Sequence, residues 1–312
     1  MWNFLISEVL IGAGGWDYFN VPGDRLRNYA RAFKAVEVNS TYYVIPPLKE
    51  VESWRRRVPE GFEFTVRCNH SLIQLLQSEP MDQLLEIFEK MKRICSVLQA
   101  SILHIQTPQT FPLSDEIIRK IDYFLSSMSQ GSLRLAWEIR GGSDSEYQAL
   151  LRVLEKHNVI HCVDLSKEAP AYWNSILYSR LFGKGFHNIY QFTNSELIEI
   201  DDRMQKSYPE RAYLSFHGTR MYKDAARMSI YEAAGKFPKV TNSMGMNSVI
   251  EILKEDAQFP STTSALINSQ GWKVCEWHLD KQFHLSEILG MIEEKKFDKL
   301  SDLEAELNRL KI

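Results

Sequence analysis

The chain of 312 residues is long enough for one large α/β domain with an appendage, or for two ordinary domains. Its content of 44% apolar and 25% charged residues is ordinary for a folded protein and excludes extensive disorder. The formal net charge of -3 provides no bulk attraction to nucleic acid or to an anionic membrane.

The four cysteines lie far apart and form no CxxC pair. This spacing matches neither a zinc framework nor a secreted disulfide scaffold, and it favours reduced cytosolic thiols. Residues 1–10 have no basic segment and contain Glu8, so we do not expect a signal peptide. No apolar run approaches membrane-spanning length. We therefore expect a cytoplasmic protein without membrane contact.

The first strand signal covers residues 9–15 and ends in glycines. These glycines match neither GxGxxG nor a P-loop, so they give no nucleotide fingerprint. Trp16 and Tyr18 follow on the loop, where an aromatic ring can stack on a base or a sugar. Packing at the top of the domain is the alternative role. Trp16 is the stronger expectation for a ligand contact because it directly follows the glycines.

The second strand signal is the stretch from Val36 to Tyr43, in which apolar residues alternate with Glu37 and Asn39. If both faces of this strand are buried, as in a parallel sheet, Glu37 and Asn39 point into the interior. An unpaired charge is very costly there, so these side chains need partners or a ligand. Tyr43 comes just before a Pro-Pro pair, as expected where a strand ends and a site loop begins.

Six further strand signals follow at residues 62–67, 101–106, 134–140, 159–164, 178–182 and 211–217. Polar residues recur near their carboxyl ends: Arg67 and His70, Gln106, Glu138 and Arg140, Asp164, Arg180, and His217. Helical stripes separate the signals. Eight strands alternating with helices predict a (β/α)₈ barrel of the TIM type, whose site lies at the carboxyl ends of the strands. A doubly wound open sheet is the structural alternative.

The pattern changes after Phe237 and Pro238. Residues 248–255, 261–269 and 284–312 have the patterns of short helices around a strand at 272–277. The predicted domains are therefore a barrel over residues 1–236 and a small, mainly helical C-terminal module over residues 237–312.

Several segments, taken in order, resemble the YecE-like family, the domain of unknown function numbered seventy-two. They are Gly12–Tyr18, Val36–Tyr43, Phe64–Arg67 with His70, Gln106–Pro108 with Phe111, Glu138–Arg140, and Asp164. The resemblance covers about residues 9–235, and its most specific part is Val36–Tyr43. It implies a TIM-type barrel, distantly similar to the xylose-isomerase and endonuclease-four barrels, with a site at the strand ends. It implies no particular reaction.

The sequence departs from the family pattern in four places. Family members usually have Lys at the position of Arg67, and His and Trp soon after the Glu-x-Arg motif, where residues 141–143 are Gly, Gly and Ser. They commonly have His where Phe182 stands, and Asn where the eighth strand ends in His217. A mechanism based on the first missing imidazole is therefore not expected, unless His217 or His187 replaces it.

The charged residues at the strand ends suggest acid/base chemistry on an anion. The predicted catalytic residues are Glu37, Glu138, Asp164 and His217. The predicted substrate-binding residues are Trp16, Tyr18, Asn39, Tyr43, Arg67, His70, Gln106, Arg140 and Arg180. A guanidinium fork suits phosphate or carboxylate. Arg140 is the expected free cation because the glycines after it open the mouth. The alternative is that these charges neutralise one another inside the barrel.

Two other kinds of site are weaker expectations. A metal could use His and carboxylate groups among His70, His104, Glu138, Asp164 and His217. No HxH or HxxE cluster pre-forms a ligand pair, so no metal or cofactor is expected. Cys68 could act as a nucleophile with His70, but a buried structural cysteine is favoured.

The sequence thus predicts an enzyme, such as a hydrolase or another acid/base enzyme, that binds a small anionic substrate, phosphorylated or nucleotide-like. The first alternative is a nucleic-acid-binding protein or a phosphodiesterase of the endonuclease-four type. The second is a non-catalytic scaffold whose C-terminal module recruits a partner.

Overall fold

The structure, a computed structural model, describes residues 6–78, 80–129, 131–172, 174–278 and 281–310. The outer ends of the two predicted domains, residues 1–5 and 311–312, lie outside these ranges. Residue contacts group the chain into two compact units, one of Met1–Leu181 with Asp202–His217 and one of Phe182–Asp201 with Gly218–Ile312. The domain boundary after residue 236 stays a prediction.

The first unit is built on parallel strands. Eight of them lie in the described residues: β1 (Glu8–Ala13), β2 (Ala35–Val38), β3 (Glu63–Arg67), β4 (Ile102–Gln106), β5 (Arg134–Glu138), β6 (Ile160–His161), β7 (Ile176–Leu181) and β8 (Arg211–Phe216). They form one sheet in the order β6-β5-β4-β3-β2-β1-β8-β7. A parallel bridge between Val163 and Ser179 joins the two outer edges and nearly closes the barrel. The predicted TIM-type fold is confirmed, and the open sheet is excluded.

Helices alternate with these strands along the chain. They are α1 (Arg25–Ala32), α2 (Leu48–Arg56), α3 (Ser71–Ser78), α4 (Met81–Leu98), α5 (Asp115–Ser127), α6 (Asp144–Lys156), α7 (Asn194–Lys206) and α8 (Met221–Ala234). Side-chain caps set the starts of α1, α5 and α6. Asp24 accepts from the N–H of Arg27, Ser114 accepts from the N–H of Ile117, and Ser143 forms a capping box with Glu146.

The barrel interior is layered because side chains two residues apart on a strand share a face. An apolar layer is formed by Leu10, Ala35, Ile102, Ala136, Ile160, Cys162, Tyr178 and Tyr213. Two residues further along four of these strands stand Glu37, His104, Glu138 and Arg180. All four are buried, so a charged layer lies above the apolar one, toward the carboxyl ends of the strands.

The C-terminal residues contain α9 (Met246–Asp256), β9 (Ser261–Thr262), α10 (Thr263–Gln270), β10 (Val274–His278), β11 (Lys281–His284), α11 (Leu285–Leu289), β12 (Lys296–Phe297) and α12 (Leu300–Leu307). Strand β10 pairs with β11, and β12 pairs with β9, both antiparallel. The helices enclose a core that includes Val249, Leu266 and Leu285. The region is mainly helical as predicted, but the two strand pairs were not predicted.

In the part of the chain that the structure describes, no helix has both the length and the apolar character needed to cross a membrane.

Tyr29 ties the first two strands together at the start of the barrel. Its buried hydroxyl accepts a hydrogen bond from the N–H of Ala13 at 2.7 Å and donates one to the carbonyl of Ala35 at 2.9 Å. A Cβ atom at Gly12 would lie 2.0 Å from that same carbonyl oxygen, so only glycine fits there. The close approach of β1 to β2 depends on this arrangement.

We expect Tyr29→Phe to lower the free energy of unfolding by about 1–3 kcal/mol, because it leaves a buried N–H and a buried carbonyl without their partner. Urea unfolding monitored by circular dichroism measures this loss. Tyr123→Phe is the matched control, since the Tyr123 side chain on α5 is 62% exposed. Equal stability changes in the two variants would contradict the role given to Tyr29.

Candidate functional site at the barrel mouth

Arg180 on β7 is the centre of the charged layer and is only 2% exposed. Its Nε and Nη2 atoms donate to the two carboxylate oxygens of Glu37 at 2.9 and 3.1 Å. Its Nη1 atom donates to Glu138 Oε2 at 2.7 Å and to Gln106 Oε1 at 2.9 Å. One guanidinium therefore joins β7 to β2, β4 and β5 across the barrel by charge-assisted hydrogen bonds.

The two carboxylates that hold Arg180 are kept ionised. Burial of Glu37 opposes its ionisation, but Arg180 and His217 outweigh burial and hold the pKa of Glu37 well below its ordinary value. Burial opposes the ionisation of Glu138 in the same way, and Arg180 and His104 outweigh it, so the pKa of Glu138 is also strongly lowered. A general base works best with a pKa near neutrality. Glu37 and Glu138 are therefore better suited to fixing Arg180 than to moving protons.

Tyr178, two residues before Arg180, supports this network from below. Its hydroxyl donates to Glu37 Oε2 at 2.6 Å and lies 3.0 Å from the hydroxyl of Thr65. Neither Tyr178 nor Thr65 was among the predicted site residues. The signal was present, because Tyr178 and Arg180 share a strand face in the same way as the predicted polar pairs.

His217 follows β8, and its side chain is 5% exposed. Its Nε2 atom lies 3.0 Å from Ser215 Oγ and 3.6 Å from Glu37 Oε2. Both contacts use the same nitrogen, so they do not form a catalytic triad, in which the acid holds the other nitrogen. Burial and Arg180 lower the pKa of His217, so the imidazole is neutral at pH 7. The ring packs on Gly14, where a Cβ atom would lie 2.3 Å from it.

Arg67 on β3 differs from the other arginines of the site. It is 8% exposed, and its guanidinium donates to Asn39 Oδ1 at 2.7 Å and to Gln106 Oε1 at 2.9 Å. It lies 3.7 Å from the ring centroid of Tyr42, a cation–π contact. Its Nε atom is buried without a hydrogen-bond partner. Among the described residues, no carboxylate lies within ion-pair distance of Arg67. Its charge is oriented by amides and is not neutralised by a carboxylate.

The prediction that Arg140 is the free cation is wrong. Its Nε and Nη2 atoms both lie 2.5 Å from Glu138 Oε1. Arg140 and Glu138 are two residues apart on one face, so this pairing is local. The Arg140 side chain remains 38% exposed at the rim.

The remaining predicted residues lie around this network. Asp164 accepts hydrogen bonds from the N–H of Ser166 at 3.0 Å and from its hydroxyl at 2.6 Å. It also forms an ion pair with Lys167, so these contacts all lie within its own loop. His70 donates from Nδ1 to the carbonyl of Tyr42 at 2.7 Å, so it supports the ring under the Arg67 guanidinium. Neither Asp164 nor His70 contacts the Arg180 network through these bonds.

A cleft of about 270 Å³, here called the mouth pocket, opens beside Asn39. It is lined by Gly14, Gly15, Trp16, Asp17, Tyr18, Asn39, Ser40 and Tyr43. The Tyr18 and Tyr43 side chains are 83% and 65% exposed. Trp16 is 9% exposed and packs edge-on against Trp54, with ring centroids 5.4 Å apart. Trp16 thus serves packing as well as the pocket wall, and the two tyrosines present the open ring surfaces.

One group of side chains offers metal-ligating atoms close together. Atoms of His104, Glu138 and Cys162 lie within 4.8 Å of one another. Glu138 already accepts from two arginines, and burial raises the pKa of the Cys162 thiol well above its ordinary value. A divalent cation there would need a thiolate and would meet the charge of Arg180. The site does not favour a metal, and its absence stays a prediction.

These features define a TIM-type barrel whose mouth is organised by a buried arginine–carboxylate network. The chain belongs to the family described as protein of unknown function DUF72, whose model matches residues 10–235. The protein YunF of Bacillus subtilis, described as UPF0759, is 25% identical over 170 residues. That match covers 50% of this chain and 60% of YunF, so the chain spans less than two thirds of this curated relative's length.

Solved structures support the same fold. A DUF72 family protein of Enterococcus faecalis matches with a TM-score of 0.56 at 16% identity, covering 74% of this chain and 98% of that chain. A second crystal structure of the same protein gives a TM-score of 0.56 at 17% identity. At this identity the likeness shows the fold alone.

We expect Arg180→Met to destabilise the protein at pH 7 by about 3–5 kcal/mol, because Glu37 and Glu138 would remain buried without their shared cation. Arg140→Met is the matched control. It should cost only about 0–1 kcal/mol, since Arg140 is partly exposed and its pairing is screened by solvent. Denaturant unfolding of both variants measures the difference.

The wild-type protein and Arg180→Met should respond differently to acid. In the wild-type protein the folded pKa of Glu37 and of Glu138 lies below the ordinary 4.5, so their stabilisation is present above pH 4.5 and is lost at lower pH. In Arg180→Met, Glu37 loses the main cation that opposes its burial, so its pKa rises above 4.5 and the folded state binds more protons. Glu138 keeps its contact with Arg140, so its pKa rises less. The loss of stability should therefore be smaller at pH 5 than at pH 7. A loss that does not depend on pH would contradict the charge network.

We expect native protein to react very slowly with a thiol reagent. All four cysteines are buried, and burial raises the pKa of Cys68 and of Cys275 to about 12. Reaction with DTNB should be slow in buffer and should release four equivalents in guanidinium chloride. Fast reaction of Cys68 in the native protein would restore its role as a nucleophile.

Proposed function

We propose that the protein binds a small anionic ligand, carrying a phosphate or a carboxylate, at the barrel mouth, with Arg67 as the anchoring cation. The observation that carries this proposal is the charge balance of the site. Arg140 and Arg180 contact carboxylates, whereas the hydrogen-bond and cation–π partners of Arg67 in the described residues are neutral, namely the amides of Asn39 and Gln106 and the ring of Tyr42. Leaving a charge unpaired in a buried position is costly, so a ligand anion would supply the missing partner.

The shape of Arg67 suits this role. A guanidinium presents its N–H groups in a planar fork that matches carboxylate and phosphate oxygens. The amides of Asn39 and Gln106 hold two of its nitrogens without cancelling its charge, and Nε keeps its hydrogen unpartnered. The fork is thus held in one orientation before a ligand arrives, which lowers the entropy cost of binding.

We propose acid/base chemistry in which the neutral imidazole of His217 accepts a proton from the bound ligand. Of the predicted catalytic residues, Glu37 and Glu138 have strongly lowered pKa values and are engaged with arginine. His217 is neutral at pH 7, and it packs on Gly14, which lines the mouth pocket.

The two alternatives lack a supporting observation. A nucleic-acid or phosphodiesterase site would need a continuous basic surface, whereas the cationic surplus is one guanidinium and the mouth pocket carries Asp17. A recruiting scaffold would need an exposed apolar patch in residues 248–312. Within the described part of that range, one large apolar residue is exposed, Met291, and one residue does not form a patch.

We expect anion binding to raise the melting temperature. A ligand at a hundred times its dissociation constant stabilises the folded state by about 2.7 kcal/mol. Each kcal/mol corresponds to roughly 2–4 °C, or a little less for a chain of this size. Thermal melts with inorganic phosphate, acetate, citrate, sugar acids, sugar phosphates and nucleoside monophosphates test this expectation.

Arg67→Gln should abolish the shift, and Arg140→Gln is the matched control that should keep it. Arg67→Lys should keep part of the shift, because it retains the charge but loses the fork. If none of the anions shifts the wild-type protein, or if both glutamine variants respond as the wild type does, Arg67 is not an anion anchor.

A further inference from the structure

The mouth pocket offers chemistry that an anion alone would not use. Its exposed tyrosines, Tyr18 and Tyr43, present ring faces that can pack against the C–H face of a sugar or against a flat ring. Asp17 provides carboxylate acceptors, and the Ser40 hydroxyl can donate and accept. The pocket therefore combines aromatic surface with both kinds of hydrogen-bonding group.

Asn39 connects this pocket to the anion anchor. Its Oδ1 atom accepts from Arg67 at 2.7 Å, which leaves its amide N–H groups as the donors still available. The same residue lines the mouth pocket. A ligand in the pocket that contacts Asn39 would therefore lie one residue away from the Arg67 guanidinium.

The charges around the pocket restrict what its occupant can be. A second anionic group beside Asp17 would be repelled. A purely apolar group would leave the hydrogen-bonding groups of Asp17, Asn39 and Ser40 unused. A neutral group with hydroxyls, each able to donate and accept, matches all three.

The volume of the mouth pocket limits the size of the ligand. At about 270 Å³ the pocket lies just below the range of roughly 300–1,000 Å³ that is typical of small-molecule sites. It has room for one small ring or a short chain, rather than for a dinucleotide or an oligomer.

We propose that the ligand is a sugar-like acid. A single hydroxylated ring or short polyol chain would lie against Tyr18 and Tyr43 in the mouth pocket. Its phosphate or carboxylate would lie against Arg67. This inference rests on the proposed anion site and narrows its ligand from any small anion to a polyhydroxylated one.

Calorimetric titration of the full chain tests this class. The probes are tetrose, pentose and hexose phosphates and the matching sugar acids, compared with inorganic phosphate, acetate, neutral glucose and AMP. We expect at least one sugar phosphate or sugar acid to bind about tenfold or more tighter than the matching simple anion. The phosphate and carboxylate arms decide which anionic group the site takes.

Two variants test whether the gain in affinity of the sugar derivative over the simple anion comes from the mouth pocket. In Tyr18→Ala and in Asp17→Asn, the ratio of the affinity for the sugar derivative to the affinity for the matching simple anion should fall close to one. Tyr123→Ala, an exposed tyrosine on α5, is the control that should change neither affinity.

The outcomes separate the two proposals. If simple anions bind through Arg67 but no sugar derivative gains affinity, the sugar-like ligand is wrong and the anion site stands. AMP binding as tightly as the best sugar derivative, or a gain that survives both pocket variants, would also overturn it. If no anion binds in any arm, the proposed function fails and this inference fails with it.

Discussion

The structure of the barrel mouth depends on one buried guanidinium, that of Arg180. It joins Glu37 on β2 to Glu138 on β5, and its contact with Gln106 places the amide that also receives Arg67. Two carboxylates can lie inside the barrel because this cation is shared between them. The same interaction lowers their pKa values, which makes them less suited to acid/base work. The contacts of Arg180 with Glu37 and Glu138 therefore determine both the packing of the barrel mouth and the pKa values of the two carboxylates.

The charge balance that follows supports the proposed anion site. With Arg180 and Arg140 engaged by carboxylates, Arg67 is held by neutral groups and keeps its charge. His217 is neutral for a related reason, since burial and the field of Arg180 both oppose its protonation. One oriented cation and one neutral imidazole stand near a small pocket. This arrangement suits recognition of an anion followed by movement of a proton.

Much of the barrel could be predicted from the sequence, because alternating polar and apolar residues reveal both the strands and their inward faces. Glu37 was predicted to lie inside, and it is buried. The pairing of charges between distant strands could not be predicted in this way. Arg140 contacts Glu138 on its own strand face, but Arg180 reaches Glu37 only after the barrel has closed. Only the closed barrel therefore determines that, among the described residues of the mouth, Arg67 is the arginine without a carboxylate partner. Trp16 likewise packs on Trp54 of a later helix, which local pattern does not reveal.

The most direct test of this account observes the Arg67 side chain itself. In a ¹H–¹⁵N spectrum of arginine side chains, the Nε–H signals of Arg67 and Arg180 can be assigned by their loss in Arg67→Lys and Arg180→Lys. On titration with inorganic phosphate, and with whichever sugar phosphate binds, the Arg67 signal should shift progressively. The Arg180 signal should stay nearly unchanged, because its partners are already in place. A ligand that binds and moves the Arg180 signal while leaving the Arg67 signal fixed would contradict the account.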